Sequence, residues 1–116
     1  MARIHVDGSG WNGKISGYAI VFEDDPDRFP IVVKNNENKT NNVREYEAII
    51  EGIKLSEPGD VILTDSQLCF NQIYGHWKVK DMELYPYCNE ARKLITEKKC
   101  KLEWVERKLN KAGKLL

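Results

Sequence analysis

The stretch RIHVDGSGWNGKISGYAIVFEDDPDRFPIVVK, residues 3–34, decides the architecture of this chain. It holds three short runs rich in apolar residues, at residues 3–7, 17–22 and 29–34. Glycine, proline and acidic residues lie between the runs, which is typical of turns that join strands. Because the connections are too short to contain a crossover helix, we predict an antiparallel meander of three strands.

Beyond this stretch the apolar residues change to helical spacing, with a predicted helix over residues 43–55 that Asn41 or Asn42 can cap. The remaining predicted elements are a strand over 60–65, helices over 66–74 and 82–98, a strand over 101–105, and a last, very short helix from residue 110. This order predicts an α/β domain over residues 1–116, with a five-stranded mixed sheet flanked by helices. Its first three strands are expected to be antiparallel and the last two parallel.

Composition places the chain among ordinary globular proteins. It has 116 residues, of which 41% are hydrophobic and 31% charged. No run of about 18 apolar residues is present, and the amino terminus does not resemble a signal peptide, so we expect no membrane segment. The three cysteines are an odd number without CxxC spacing, which favours reduced, packed thiols in a cytoplasmic protein.

Charge is balanced in total but uneven along the chain. Lys and Arg number 18, as do Asp and Glu, and a net charge of zero by itself argues against nucleic-acid binding. Residues 107–116, however, carry four basic residues and no acid, whereas residues 23–27 carry four acids. Neutrality is therefore a sum over separate patches, and it predicts modest, salt-sensitive affinity for nucleic acid rather than none.

Three carboxylates have positions from which they could meet at one edge of the sheet. Asp7 and Asp65 end the first and fourth predicted strands, and Glu45 lies in the first turn of the first long helix. Such oxygen ligands suit Mg²⁺ or Mn²⁺. Each residue also has a structural alternative: Asp7 as a turn residue, Glu45 in a capping box with Asn42, and Asp65 as a helix cap.

The carboxylates belong to longer stretches that occur in a recognisable order. These are VDGSG at 6–10, TNNVREYEAII at 40–50, LTDSQL at 63–68, QIYGHWKVK at 72–80, and LEWVER at 102–107 followed by Asn110. Together they resemble ribonuclease H of type 1, in its short form without the basic protrusion helix. The resemblance covers essentially the whole chain and implies the ribonuclease H-like fold.

The resemblance also implies a function, that of an endonuclease that cuts the RNA strand of an RNA–DNA hybrid with two Mg²⁺ or Mn²⁺ ions. Asp7 would contact both ions, and Glu45 and Asp65 would complete one each. Matching substrate-binding positions are Gly8, Ser9 and Gly10 near the RNA, Thr40 at a DNA phosphate, Asn41, Asn42 and Gln67 as polar contacts, and Trp77, Lys78 and Lys80 beside the DNA. A monomer is expected.

The fourth acidic ligand of the family has no counterpart here. Its position falls on Gly113, or on Asn110 if the shorter preceding loop shifts the alignment. We expect Asn110 to be a weak fourth metal ligand and catalytic residue, with capping of the last helix as its structural alternative. The missing acid also favours a second interpretation of the chain, a weakly active or inactive module that binds hybrid or double-stranded RNA. A protein-interaction module that retains only the fold is a third.

Overall fold

A computed structural model describes all residues, 1–116, and contains five strands and three α-helices. The strands are β1 (Arg3–Ser9), β2 (Ser16–Phe22), β3 (Ile31–Asn35), β4 (Val61–Thr64) and β5 (Lys101–Trp104). The helices are α1 (Asn41–Lys54), α2 (Gln67–Ile73) and α3 (Tyr85–Lys98). None of these helices combines the length and apolarity needed to cross a membrane.

The strands form one mixed sheet in the order β3-β2-β1-β4-β5. β1 and β2 are antiparallel, with Val6 opposite Ile20, and β2 and β3 continue the meander. β4 pairs in parallel with β1 on one side and with β5 on the other. The predicted fold is confirmed, and its parallel centre brings the carboxyl ends of β1 and β4 to the same edge.

The hydrophobic core lies between the sheet and the helices. Alternate β1 residues such as Ile4 and Val6 are fully buried, as are Tyr46, Ile49 and Ile53 on the inner face of α1. This alternation in the strand and the helical spacing in α1 are the patterns visible in the sequence. The cysteines are buried and free, which agrees with the prediction of packed thiols.

The starts of α1 and α3 differ from the predictions for identifiable reasons. The prediction that Asn41 or Asn42 caps α1 is wrong, because the hydroxyl of Thr40 accepts the Val43 N–H at 3.2 Å. The third helix begins at Tyr85 rather than at residue 82, because a turn closed by Asp81 precedes it and Pro86 occupies its first turn.

The very short helix predicted from residue 110 is present only as a single 3₁₀ turn, and it belongs to a longer irregular segment over residues 105–116. This segment forms two 3₁₀ turns, Arg107–Leu109 and Gly113–Leu115. Between them, Asn110 and Ala112 are buried, and the Asn110 side chain reaches the β1 backbone. We call residues 105–116 the C-terminal segment. Its attachment to β1 brings it beside the carboxyl end of that strand.

Candidate active site

Three carboxylates converge at the sheet edge where β1 and β4 end. Asp7 lies in β1, Asp65 directly follows β4, and Glu45 lies near the start of α1. One oxygen from each of the three carboxylates can be chosen so that all lie within 4.8 Å of one another. The structure therefore brings together the three acids that the sequence singled out.

Close packing of α1 against β1 holds Glu45 in place. A Cβ atom added to Gly8 would lie 2.3 Å from the backbone carbon of Arg44, so only glycine allows this approach. The Gly8 N–H then donates a hydrogen bond of 2.6 Å to Oε1 of Glu45. The capping-box alternative for Glu45 is wrong, because its carboxylate is bonded to β1 rather than to the start of α1.

The structural alternatives for the two aspartates are also wrong. Asp7 is not a turn residue, because β1 continues to Ser9 and pairs Asp7 with Ala19 of β2. Asp65 does not cap α2, because the Ser66 hydroxyl accepts the Cys69 N–H at 3.1 Å. Oδ2 of Asp65 is buried and has no hydrogen-bond partner. A buried carboxylate oxygen without a donor is costly unless a cation binds it.

The electrostatics of the cluster indicate the same deficit of positive charge. Burial, followed by the negative charge of Asp65, raises the pKa of Asp7 to about 6. Burial and the neighbouring Asp7 raise the pKa of Glu45 well above its usual range. A divalent cation among these oxygens would relieve both effects, so the donor set fits Mg²⁺ or Mn²⁺.

The structure separates the two candidates for the fourth position. Asn110 is 1% exposed, and its amide is engaged at both ends. Nδ2 donates to the Val6 carbonyl at 2.9 Å, and Oδ1 accepts the Ala112 N–H at 3.0 Å. Gly113 faces the cluster instead, since a Cβ atom built on it would lie 3.2 Å from Oδ2 of Asp7.

The predicted substrate-binding residues other than Gln67 fall into two areas. Gly8, Ser9 and Asn41 line the carboxylate cleft, which has a volume of about 420 Å³. Gly10 continues this surface, and its N–H donates to Oδ1 of Asn41 at 3.2 Å. Thr40 caps α1 and lines an adjoining groove.

The second area is a pocket beside α2 and the loop that follows it. Asn42 lines it together with Trp77, Lys78 and Lys80. The Trp77 side chain is 46% exposed, so an aromatic face is available for stacking. Gln67 is exposed at the start of α2 and is not part of this pocket.

The carboxylate cleft has a basic wall that was not predicted from the sequence. Arg107, Lys108 and Lys114 line it from the C-terminal segment. The run of positive charge over residues 107–116 was visible in the sequence, but its position relative to Asp7 depends on how the segment folds back. That fold depends on pairs more than a hundred residues apart in sequence, such as Asn110 and Val6.

His5 and Glu23, which were also not predicted as part of the site, bind the same segment through Lys111. His5 is buried in β1, and its Nδ1 accepts the Lys111 N–H at 3.2 Å. Its Nε2 lies 3.0 Å from Oε1 of Glu23, which also binds Nζ of Lys111 at 3.2 Å. His5 and Glu23 thus hold Lys111, two residues before Gly113.

The sequence of the chain is similar to a known protein family and to curated proteins. A profile of the RNase H family matches residues 2–110. The bifunctional protein Rv2228c of Mycobacterium tuberculosis is 37% identical over 76 residues, which are 61% of this chain and 21% of that protein. An uncharacterized protein of Mycobacterium bovis matches equally well. The chain thus spans about a fifth of the length of these curated relatives.

Solved structures show the same likeness over more of the chain. The N-terminal RNase H domain of Rv2228c, solved as a fusion with maltose-binding protein, has a TM-score of 0.78 at 30% identity, covering 94% of this chain and 84% of that one. LC11-RNase H1, isolated from compost by a metagenomic approach, has a TM-score of 0.81 at 26% identity, covering 98% and 91%. LC11-RNase H1 in complex with an RNA/DNA hybrid has a TM-score of 0.80 at 25% identity, covering 100% and 93%.

Proposed function

The chain belongs to the RNase H family, and from that membership we propose that it is an endoribonuclease that hydrolyses the RNA strand of RNA–DNA hybrids by two-metal-ion catalysis. The observation that carries the proposal is the convergence of Asp7, Glu45 and Asp65 within 4.8 Å at the edge of the sheet. The hybrid-bound structure of LC11-RNase H1, a similar protein, supports the choice of substrate.

The residues present fit a divalent cation. Asp7, Glu45 and Asp65 would hold it, and the unpartnered Oδ2 of Asp65 would gain a ligand. Bound Mg²⁺ or Mn²⁺ would supply the positive charge that activates a water molecule and stabilises the leaving oxygen of a phosphodiester. Hard carboxylate oxygens favour these ions over softer metals.

The protein's own residues position the substrate and the carboxylates. Gly8 fixes Glu45 through its N–H, which leaves the other carboxylate oxygen free to act as a ligand. Ser9 and Asn41 line the cleft and can donate to the sugar hydroxyls that distinguish RNA from DNA. Trp77, Lys78 and Lys80 flank the second pocket, where an aromatic ring and two cations suit a second strand.

We assign the fourth position to Gly113 and give Asn110 a structural role. Gly113 faces Oδ2 of Asp7, whereas both ends of the Asn110 amide are engaged by Val6 and Ala112. The cleft therefore offers three carboxylates and no fourth. Fewer charged ligands weaken the binding of a divalent ion, so we expect activity to require more metal than a four-carboxylate site would.

The missing acid keeps a second candidate function open, that of a module that binds hybrids without cleaving them. The two are separated by incubating labelled RNA–DNA hybrid, double-stranded RNA and DNA duplex with the wild type, E45Q and D65N in Mg²⁺ and in Mn²⁺. D27N is the matched control, because Asp27 is an exposed acid in the β2–β3 loop. We expect the wild type and D27N to cleave only the hybrid and the other two variants to lose about 10²-fold or more in rate. If the wild type binds the hybrid but cleaves it neither in Mg²⁺ nor in Mn²⁺, the second function is supported instead.

A further inference from the structure

The cleft that holds the three carboxylates has a wall of opposite charge. Its lining includes Arg107, Lys108 and Lys114, all from the C-terminal segment. Arg107 and Lys114 form no ion pair, and Lys108 pairs only with its exposed neighbour Glu106, at 3.5 Å. Three cations beside a carboxylate cluster, none of them bound to it, are available to an anion that enters the cleft.

The remaining cation of the segment provides a comparison. Lys111 is bound to Glu23 at 3.2 Å, and its backbone N–H donates to His5. Lys111 does not line the cleft. The segment therefore uses one cation to attach itself to the sheet and leaves the other three at the cleft.

The attachment also limits the motion of these cations. The Asn110 side chain donates to the Val6 carbonyl, and the Lys111 N–H donates to His5. The segment is therefore fixed to β1 at two consecutive residues, Asn110 and Lys111. Arg107 precedes this anchor by three residues, and Lys114 follows it by three. Cations on an ordered backbone lose less entropy when a ligand binds than cations on a free tail.

We propose that Arg107, Lys108 and Lys114 form a phosphate-binding site for the nucleic-acid strand whose phosphodiester lies at the carboxylates. This inference rests on the proposed function and adds a binding site to it. A guanidinium and two ammonium groups suit the non-bridging oxygens of successive backbone phosphates, with Arg107 able to bind one of them through two N–H groups.

The position of the site determines which strand it binds. The three cations share their cleft with Asp7 and Glu45, whereas Trp77, Lys78 and Lys80 line a different pocket. A duplex bound across both would place the cleaved strand against the C-terminal segment and the other strand against Trp77. The site therefore belongs to the RNA strand of a hybrid.

The test measures binding without metal, so that catalysis plays no part. The affinity for a fluorescently labelled RNA–DNA hybrid is measured in EDTA between about 50 and 200 mM salt. The test variant combines R107Q, K108Q and K114Q. The control combines K93Q, K98Q and K101Q, which changes the net charge equally. Lys98 and Lys101 lie near the start of β4, at the opposite end of this strand from Asp65.

The proposal predicts a loss of affinity confined to the test variant. At about 50 mM salt its affinity should fall roughly tenfold or more, and the salt dependence should become shallower by about 0.9 for each phosphate that is no longer neutralised. The control should bind like the wild type. Five of the six residues are exposed and Lys98 is half-buried, so both variants should fold, and melting temperatures check this. Equal affinity of the test and control variants would overturn the site.

A cleavage assay on the same proteins separates this inference from the proposed function. A wild type that binds the hybrid without cleaving it, and a test variant that binds it less well, would support the phosphate site and contradict the nuclease. A wild type that cleaves, with equal affinity for all three proteins, would contradict the site and support the nuclease. A wild type that neither binds nor cleaves the hybrid would contradict both.

Discussion

Asp7 is the carboxylate that lies close to every other part of the candidate metal site. It lies between Glu45 and Asp65, and its Oδ2 faces the position that a side chain at residue 113 would occupy. Burial raises its pKa, so in the absence of a cation this carboxylate costs stability when it is charged. Because Gly113 has no side chain, the cluster has less repulsion between carboxylates than it would have with an acid at residue 113. Two predictions at the scale of single residues follow from this balance.

The first concerns the variant G113D. An aspartate at this position extends from a Cβ only 3.2 Å from Oδ2 of Asp7, so it should add a fourth carboxylate to the cluster. We expect Mn²⁺ to bind about tenfold more tightly, because a charged ligand is added. In EDTA the variant should melt below the wild type, because the carboxylates repel one another, and in Mn²⁺ this order should reverse.

Calorimetric titration with Mn²⁺ and thermal melts measure both effects. N110D is the matched comparison, because it adds the same charge at the other candidate position. That variant should lose the hydrogen bond from Nδ2 to Val6 and about 1–3 kcal/mol of stability. Tighter metal binding by N110D, with none gained by G113D, would show that Asn110 holds the fourth position.

The second residue-scale prediction concerns stability and pH. The pKa values of Asp7 and Glu45 are raised in the folded protein, so the metal-free protein binds more protons than the unfolded chain near neutral pH. Its stability should therefore decrease as the pH rises from about 4 through 6 and beyond. D7N should raise the melting temperature in EDTA at pH 7 by about 4–8 °C for each kcal/mol of repulsion removed.

Melts of the wild type and D7N in EDTA from pH 5 to pH 8 check this prediction. The difference between the two proteins should shrink toward pH 5, where Asp7 is protonated in the wild type. D27N keeps the cluster, so its melting temperature should differ from that of the wild type by the same amount at every pH. A D7N variant that melts below the wild type at pH 7 would contradict the electrostatic description of the cluster.

At the scale of elements, the sequence patterns predicted those parts of the fold that local periodicity determines. Alternation in β1 and helical spacing in α1 correspond to a buried face in each, and both elements were predicted. The C-terminal segment was not, because its course depends on Asn110 and His5 meeting partners distant in sequence. Loop length alone could not place residue 113 against Asp7.

The carboxylate site was predictable for a different reason. The ends of β1 and β4 follow from the order of the elements, and parallel neighbours bring those ends together. Glu45 was predicted from its place in the first turn of α1, although its spacing from Asn42 also fits a capping box. Only the structure shows the Gly8 N–H bonded to Glu45 instead.

A prediction at this scale concerns the attachment of the C-terminal segment through Glu23. Hydrogen bonding from His5, together with Lys111, lowers the pKa of Glu23 to about 2. A lowered pKa contributes stability above the unfolded value of 4.5, and this contribution is lost as the pH falls toward 2. E23Q should therefore destabilise the protein at pH 7 and much less at pH 3.

Urea unfolding of the wild type and E23Q at both pH values measures the difference. E57Q is a matched control, because Glu57 is an exposed glutamate in the α1–β4 loop that forms no ion pair. Proteolysis should also cut the C-terminal segment of E23Q faster at pH 7. A stability difference that is the same at both pH values would show that the charge of Glu23 does not hold the segment.

For the whole molecule, the net charge is zero, but acidic and basic residues lie on different parts of the surface. Acids collect at residues 23–27 and within the cleft, whereas three of the four cations of the C-terminal segment and the two lysines at residues 78–80 line the two pockets. The total charge therefore says little about binding, and the distribution supports the proposed binding of a duplex across both pockets. Family membership and the carboxylate cluster together support the proposed cleavage of the RNA strand.

The decisive measurement of this activity is single-turnover cleavage of a hybrid whose RNA and DNA strands carry different labels, with the wild type and D7N compared in Mn²⁺. We predict internal fragments of the RNA strand only, formed by the wild type and abolished by EDTA. D7N should bind the hybrid and leave it intact, because Asp7 is central to the metal cluster. Cleavage that persists in D7N, or an intact RNA strand with the wild type in both Mn²⁺ and Mg²⁺, would contradict the proposed function.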